Sequence, residues 1–240
     1  MNKFIIWIAF LSTSVYACDT NIEKIVQSKF GKNYSHLVCK INPVSNQETI
    51  VAFADNPVGD KDGTVINDAT VLIINNNKIT NRITEKAILV SDAIALEDIK
   101  IDTAAYTVND NERAFGIRFL FRGSSSVNPY TKEFMNLYIK KQTDLYNILA
   151  GLTTYEHTGD WDGNCIGNFI TSNYYLSIQP TKKHSFSDIL VTKKSENKHT
   201  SESNNDCNGV IDKLPIKKYQ IFFNGTKYNV PEQLKSSLLN

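Results

Sequence analysis

Gly116-Ile117-Arg118-Phe119-Leu120-Phe121-Arg122 is the stretch that decides the fold class. Successive side chains of a strand point to opposite faces, so Ile117, Phe119 and Phe121 share one side of a half-buried strand. The same chemistry recurs on both sides of this run. Residues 36–41, 49–53, 69–74, 87–90 and 135–139 are rich in Val, Ile, Leu, Phe and Tyr, and polar turn clusters separate them. Asn75-Asn76-Asn77 joins two such runs as a hairpin turn. Residues 219–223, Asn224-Gly225 and residues 226–228 read as a second hairpin with a type I′ turn. These runs predict a mainly β fold: an antiparallel sandwich-like or partial-barrel domain with a helix at the N-terminus and a short helix at the C-terminus.

The first helix is marked by a capping box at Thr20 and Glu23. Ile22, Ile25, Val26 and Phe30 follow on one face, with Gly31 where a left-handed C-cap belongs. Pro231 opens the C-terminal helix, which carries Leu234, Leu238 and Leu239. Residues 193–208 (KKSENKHTSESNNDCN) are almost wholly polar, and predict a long, exposed, mobile loop tied down at its far end by Cys207.

The N-terminus predicts where the protein works. Lys3, the apolar run at residues 4–11 (FIIWIAFL) and Val15-Tyr16-Ala17 are the parts of a cleavable secretory signal, residues 1–17. That run is far short of the ~20 residues needed to span a bilayer as a helix. The mature chain is then 18–240, one secreted β-rich domain, with two lobes meeting near residues 150–160 as the other partition. The expected location is the periplasm, with no transmembrane anchor. Ala17 followed by Cys18 also fits a bacterial lipoprotein signal, which would anchor Cys18 by lipid in the outer membrane. Tyr16 fits that pattern poorly, and lipidation would leave an odd number of thiols, so ordinary cleavage is preferred.

Cys18, Cys39, Cys165 and Cys207 are an even set in an exported chain, which reads as two disulfides with three connectivities. Local spacing favours Cys18–Cys39 and Cys165–Cys207. By loop-closure entropy each would contribute roughly 3–4 kcal/mol. No pair has the close spacing of zinc ligands. Setting Lys3 of the signal aside, the 26 basic residues fall level with the 25 acidic ones. A neutral mature chain has no global pull toward nucleic acid or anionic lipid.

Two segments hold the candidate functional residues. Residues 156–165 contain Glu156, Asp160 and Asp162, of which Glu156 with either aspartate could form an acid/base pair. Asp160, Asp162 and Asn164 start like a calcium loop, but Cys165 and Thr171 occupy the positions that need Gly and Glu, so no metal is expected. A disulfide-pinned turn explains the same residues. The other segment, Arg122-Gly123-Ser124-Ser125-Ser126-Val127-Asn128-Pro129, is a polar loop after a buried strand. Such a loop suits a binding surface carried by Arg122, Ser124, Ser125 and Asn128. It lacks the glycines of a nucleophile elbow. Asp60-Lys61-Asp62-Gly63 and Asp68 read as turn material rather than a metal site. Ser195 and Lys198 have a nucleophile spacing without a helix to hold them. No phosphate loop, dinucleotide fingerprint or zinc-protease motif is present, and no cofactor is expected.

Asp102-Thr103-Ala104-Ala105-Tyr106, Arg113-Ala114-Phe115-Gly116, Gly123-Ser124-Ser125, Asn128-Pro129 and Trp161-Asp162-Gly163-Asn164-Cys165-Ile166-Gly167 together resemble a family of uncharacterised exported proteins of Gram-negative bacteria. The resemblance spans roughly residues 85–175. It implies an envelope protein and carries over no catalytic residue. The expected function is a periplasmic, non-enzymatic protein-binding module, of immunity or inhibitor type, whose partner is another protein of the cell envelope. The alternative is an envelope hydrolase or carbohydrate-active enzyme using the acidic residues near Trp161.

Overall fold

In the computed structural model, residues 18–59, 62–203 and 206–238 are described, so the signal expected at 1–17, and the positions Asp60, Lys61 and Leu239, lie outside them. Helix α1 (Thr20–Phe30) is capped one residue upstream of the expected Thr20. The Asp19 carboxylate accepts from the N–H groups of Asn21 and Ile22, which are otherwise without intrahelical partners. Gly31 closes the helix at φ +79°, and its N–H returns to the Gln27 carbonyl.

Twelve strands follow: β1 (Tyr34–Asn42), β2 (Ser45–Gly59), β3 (Val65–Asn75), β4 (Lys78–Ser91), β5 (Ile94–Thr107), β6 (Arg113–Gly123), β7 (Tyr130–Lys141), β8 (Asp144–Trp161), β9 (Gly167–Lys183), β10 (Phe186–Ser203), β11 (Asp206–Lys213) and β12 (Lys217–Ile221). They form one mixed sheet in the order β1-β2-β3-β4-β8-β7-β6-β5, and β9 continues from β8 into β10, which carries β11 and β12. The neighbours pair antiparallel except β4 and β8, which meet in parallel at Arg82 and Asp144. The Asn81 amide strengthens that thin seam by donating to the carbonyls of Gln142 and Asp144. The path curls until β5 lies beside β1, where Lys40 Nζ donates to the Ile101 carbonyl at 3.2 Å. This is a sandwich-like, partial-barrel arrangement.

The curl encloses one core. Ile117, Phe119 and Phe121 are fully buried in it, with Ile50, Ala52, Val71, Ile99 and Phe134. Phe134 meets Phe119 and Phe121 at ring-centroid distances of 5.1 and 5.9 Å. A second core lies outside β1–β3, where Ile22 and Val26 of α1 cover Val51, Phe53 and Leu72, and Cys18 is bonded to Cys39. The third core lies outside β7 and β8, between Met135, Leu149 and Leu152 on one side and Ile189, Val191, Phe223 and Tyr228 on the other.

Several expectations need correction. The described residues of the 193–208 run are strand and not loop: 193–203 belong to β10, and 206–208 to β11. The 87–90 run is the end of β4, which begins at Lys78. Asn76 and Asn77 do form a tight turn, both at positive φ. The Asn224-Gly225 turn is wider than a type I′ hairpin: Asn224 N donates to the Lys227 carbonyl, and one isolated bridge joins Phe223 and Tyr228. At the C-terminus a short 3₁₀ turn (Glu232–Leu234) replaces the helix. Leu234 enters the core outside β8, whereas Leu238 packs against the enclosed core. A helix would place residues four apart on one face, so two separate cores demand an extended chain. Ser236 N donates to the Gly151 carbonyl, and Lys235 bridges Leu152, which docks that segment along β8.

Candidate functional site

The two candidate segments come together at one end of the sheet. Trp161 N donates to the Val127 carbonyl at 2.8 Å, and Gly159 N to the Pro129 carbonyl at 3.1 Å. The Asn128 amide donates to Asp160 at 3.2 Å. Within the loop, Ser125 Oγ accepts from Asn128 N, Ser124 N donates to the Ala93 carbonyl, and Arg122 pairs with Glu97 at 2.8 Å. Arg122 is the last but one residue of β6, not part of the loop.

The acidic candidates are engaged one by one. Glu156 sits within β8 and pairs with buried Lys132 at 3.2 Å. Asp160 takes the Asn128 amide. Asp162 lies beyond the strand and accepts from the N–H groups of Asn164 and Ile166 at 2.9 and 3.0 Å, an Asx-type turn. No hydrogen bond joins these three carboxylates to one another among the described residues. Asp68 is likewise held, by Lys86 at 2.6 Å, Ala87 N and the Asn56 amide. Burial pushes its carboxyl up, but those bonds outweigh burial and keep it below the usual carboxylate value. Among the described residues no group of three or more His, Cys, Asp or Glu could hold a metal ion.

Beyond this knot, β9, β10 and β11 extend as a finger. Cys165, in the turn before β9, is bonded to Cys207 at the start of β11, so the finger is closed across its width. All of β11 is exposed. Val210, Ile211 and Ile166 are 63, 56 and 61 % exposed. Leu214 N donates to the Ser195 carbonyl, which fixes the phase of the β10–β11 ladder. By that phase the N–H and C=O groups of Cys207, Gly209, Ile211 and Lys213 point away from β10. β11 pairs with β10 and is the outer strand here.

A groove of about 370 Å³ lies on the outer face where the sheet continues into β9. Its centre is one cross-strand row: Asp98, Leu120, Glu133, Tyr155, Asn173 and Lys194 stand opposite one another in successive strands β5 to β10. Arg118 lies on its floor, bonded to Asp102 at 2.6 Å and to Glu133 at 2.7 Å. Thr154 adds a hydroxyl to Glu133 at 2.6 Å. Burial pushes the Asp102 carboxyl up, but Ala104 N, Arg118 and Tyr106 outweigh it and hold the group below its usual value. Burial pushes the Tyr174 hydroxyl up to about 12. Lys193 and Lys194 stand over the rings of Tyr174 and Tyr175, at 5.0 and 5.4 Å from the centroids.

Comparison with known protein families, curated proteins and solved structures finds no match to this chain. The groove was not foreseen in the sequence, because its row draws one residue from each of six strands. The available signal was local: Arg118 is a charge between two buried apolar residues, and so faces the opposite side of β6.

Proposed function

We propose that the protein is a non-enzymatic binding module of the bacterial periplasm, and that it captures another envelope protein through the β9–β11 finger. The observation that carries this reading is the outer strand β11, with Val210 and Ile211 exposed beside backbone groups that point away from β10. Such an edge suits addition of a strand from a partner, with main-chain bonds giving affinity and alternate side chains giving specificity. The Cys165–Cys207 bond supports it by holding the edge in place before binding, which lowers the ordering cost of association. The Asx turn at Asp162 and the Asn128–Asp160 bond set the base of the finger. Two disulfides fit an oxidising compartment, and no described helix is long and apolar enough to cross a membrane. The Cys18 sulfur is committed to Cys39, which favours ordinary cleavage over lipid attachment.

The test is photo-crosslinking from position 211 in periplasm, followed by affinity measurement with the purified partner it identifies. Ile211→Lys with Val210→Glu is expected to weaken that affinity about tenfold or more, while Glu156→Gln leaves it unchanged. Turnover of peptidoglycan by the protein, lost in Glu156→Gln, would replace this reading with the hydrolase. Full affinity in the charged finger variant would overturn the choice of surface.

A further inference from the structure

We propose that the outer groove on β5–β10 binds an uncharged pyranose oligosaccharide, as a site separate from the β11 edge. Four properties of the groove select this ligand class.

The first is the state of its charges. Arg118 is engaged by Asp102 and Glu133 together, and Lys100 stands 3.5 Å from Asp98. With Lys194 of the same row, three cations stand against the three carboxylates Asp98, Asp102 and Glu133, so the groove carries no net charge and selects neither an anion nor a cation. A polar, uncharged ligand meets no Coulombic penalty there.

Hydrogen-bonding capacity is the second. A guanidinium has five N–H donors, and Arg118 spends three of them on its two carboxylates. Glu133 accepts Arg118 and Thr154 on Oε1, and its Oε2 takes no bond among the described residues. Asn173 adds an amide able to donate and accept, opposite Tyr155 in the row. Vicinal hydroxyls, each both donor and acceptor, match such a mixed set; a purely apolar ligand would strand it.

Aromatic surface is the third property. Tyr155 and Tyr175 form the wall, and Tyr175 is 53 % exposed, whereas the Tyr174 ring is buried in the third core on the other face of β9. The apolar C–H face of a pyranose stacks on such rings while its hydroxyls reach the polar floor. Lys194, over the Tyr175 ring, limits its rotation and so lowers the entropy cost of binding. The wall also continues toward the finger, where the rings of His157 and Phe169 stack with centroids 6.1 Å apart. That direction gives a chain of sugars a path.

The last property is shape. At about 370 Å³ the groove is near the lower end of ligand sites, and it has room for one or two rings, with the rest of a chain lying along the surface. It is open rather than enclosed, as a polymer requires.

The experiment titrates ¹⁵N-labelled protein 18–240, disulfides intact, with three separate probes: N-acetylchitotetraose, cellotetraose and maltotetraose. The first arm reports an amino-sugar strand such as a wall glycan, and the others report glucans. The expected result is saturable shifts for at least one probe, centred on Lys100, Tyr155, Asn173 and Tyr175. Tyr175→Ala is expected to weaken binding about tenfold, at the upper limit of one ring contact. Asn173→Ala should weaken it too, while exposed Tyr146→Ala, outside the groove, leaves it unchanged. Because Tyr175 is exposed, its variant is expected to keep the parent's unfolding temperature, and the comparison is made at equal folded fraction. No shifts at millimolar concentration of any probe, shifts centred elsewhere, or equal affinity in Tyr175→Ala would each overturn the proposal. Ile211→Lys should not affect glycan binding, so the β11 edge and the groove succeed or fail independently.

Discussion

Arg118 shows how much one side chain can organise and how little of that is local. Its neighbours Ile117 and Phe119 are buried in the enclosed core, which forces Arg118 to the outer face. There it joins Asp102 on β5 to Glu133 on β7, and the Tyr106 hydroxyl completes the set by donating to Asp102 at 2.8 Å. The guanidinium is 24 % exposed, and its two acids less, so solvent screens this group only in part. Arg118→Met should destabilise the protein by about 3 kcal/mol at pH 7, since two carboxylates lose their cation in a half-dry site. The sign of the pH dependence follows from Asp102. Its folded carboxyl lies below the usual value, so it contributes stability above the unfolded carboxylate pKa, and loses it as pH falls through the lower folded value. The deficit of Arg118→Met should therefore be full at neutral pH and shrink as the pH falls through and below about 4. Urea unfolding of both proteins at pH 7 and pH 3 measures it, and a deficit independent of pH would contradict the assignment. The outward direction of Arg118 was legible in the alternation. Its partners were not, because Asp102 and Glu133 reach it through strand register.

At the scale of elements, strands were legible where one face is dry. The enclosed-core strands β2, β3, β6 and β7 carry the apolar runs that announced them. The outer half of β10 carries no such run. Glu196, Lys198 and His199 are all exposed, with neither face buried, so the sequence has no binary pattern to read. What makes a strand there is backbone pairing with β9 on one side and β11 on the other. The Cys165–Cys207 bond supports that ladder where side-chain burial does not. Its removal should accordingly be felt locally. In a Cys165→Ser/Cys207→Ser variant, amides of β11 and of β10 beyond Glu196 should exchange faster by on the order of 100-fold or more, as loop-closure entropy of about 3–4 kcal/mol allows. Amides of Phe119 and Phe134 in the enclosed core should exchange at the parent rate. Hydrogen exchange read by mass spectrometry separates the two regions, and uniform acceleration would mean that the finger is not an independent unit.

Across the whole molecule, β8 is the shared wall. It meets β4, β7 and β9, its Leu145 joins the enclosed core, and its Ile148, Leu149 and Leu152 join the outer one. The C-terminal segment straps both cores against it, through Leu234 on one side and Leu238 on the other. Leu234 is fully buried, so Leu234→Ala should cost about 3 kcal/mol, measured as a lower urea midpoint with an unchanged slope. Leu238→Ala, at a half-buried position, should cost less. Sequence alone determined the β class, the N-terminal helix with its cap within one residue, and the turn at Asn76 and Asn77, because each rests on contacts a few residues apart or on a period imposed by one dry face. It also supplied an even cysteine count with local spacing. Tertiary structure alone decided that the polar 193–203 run is a strand, that the last leucines serve two cores instead of one helix face, and that Asp98, Leu120, Glu133, Tyr155, Asn173 and Lys194 align across six strands. Those outcomes depend on register between distant segments, which is fixed by the cumulative burial of whole strands and leaves no mark on any one stretch of sequence.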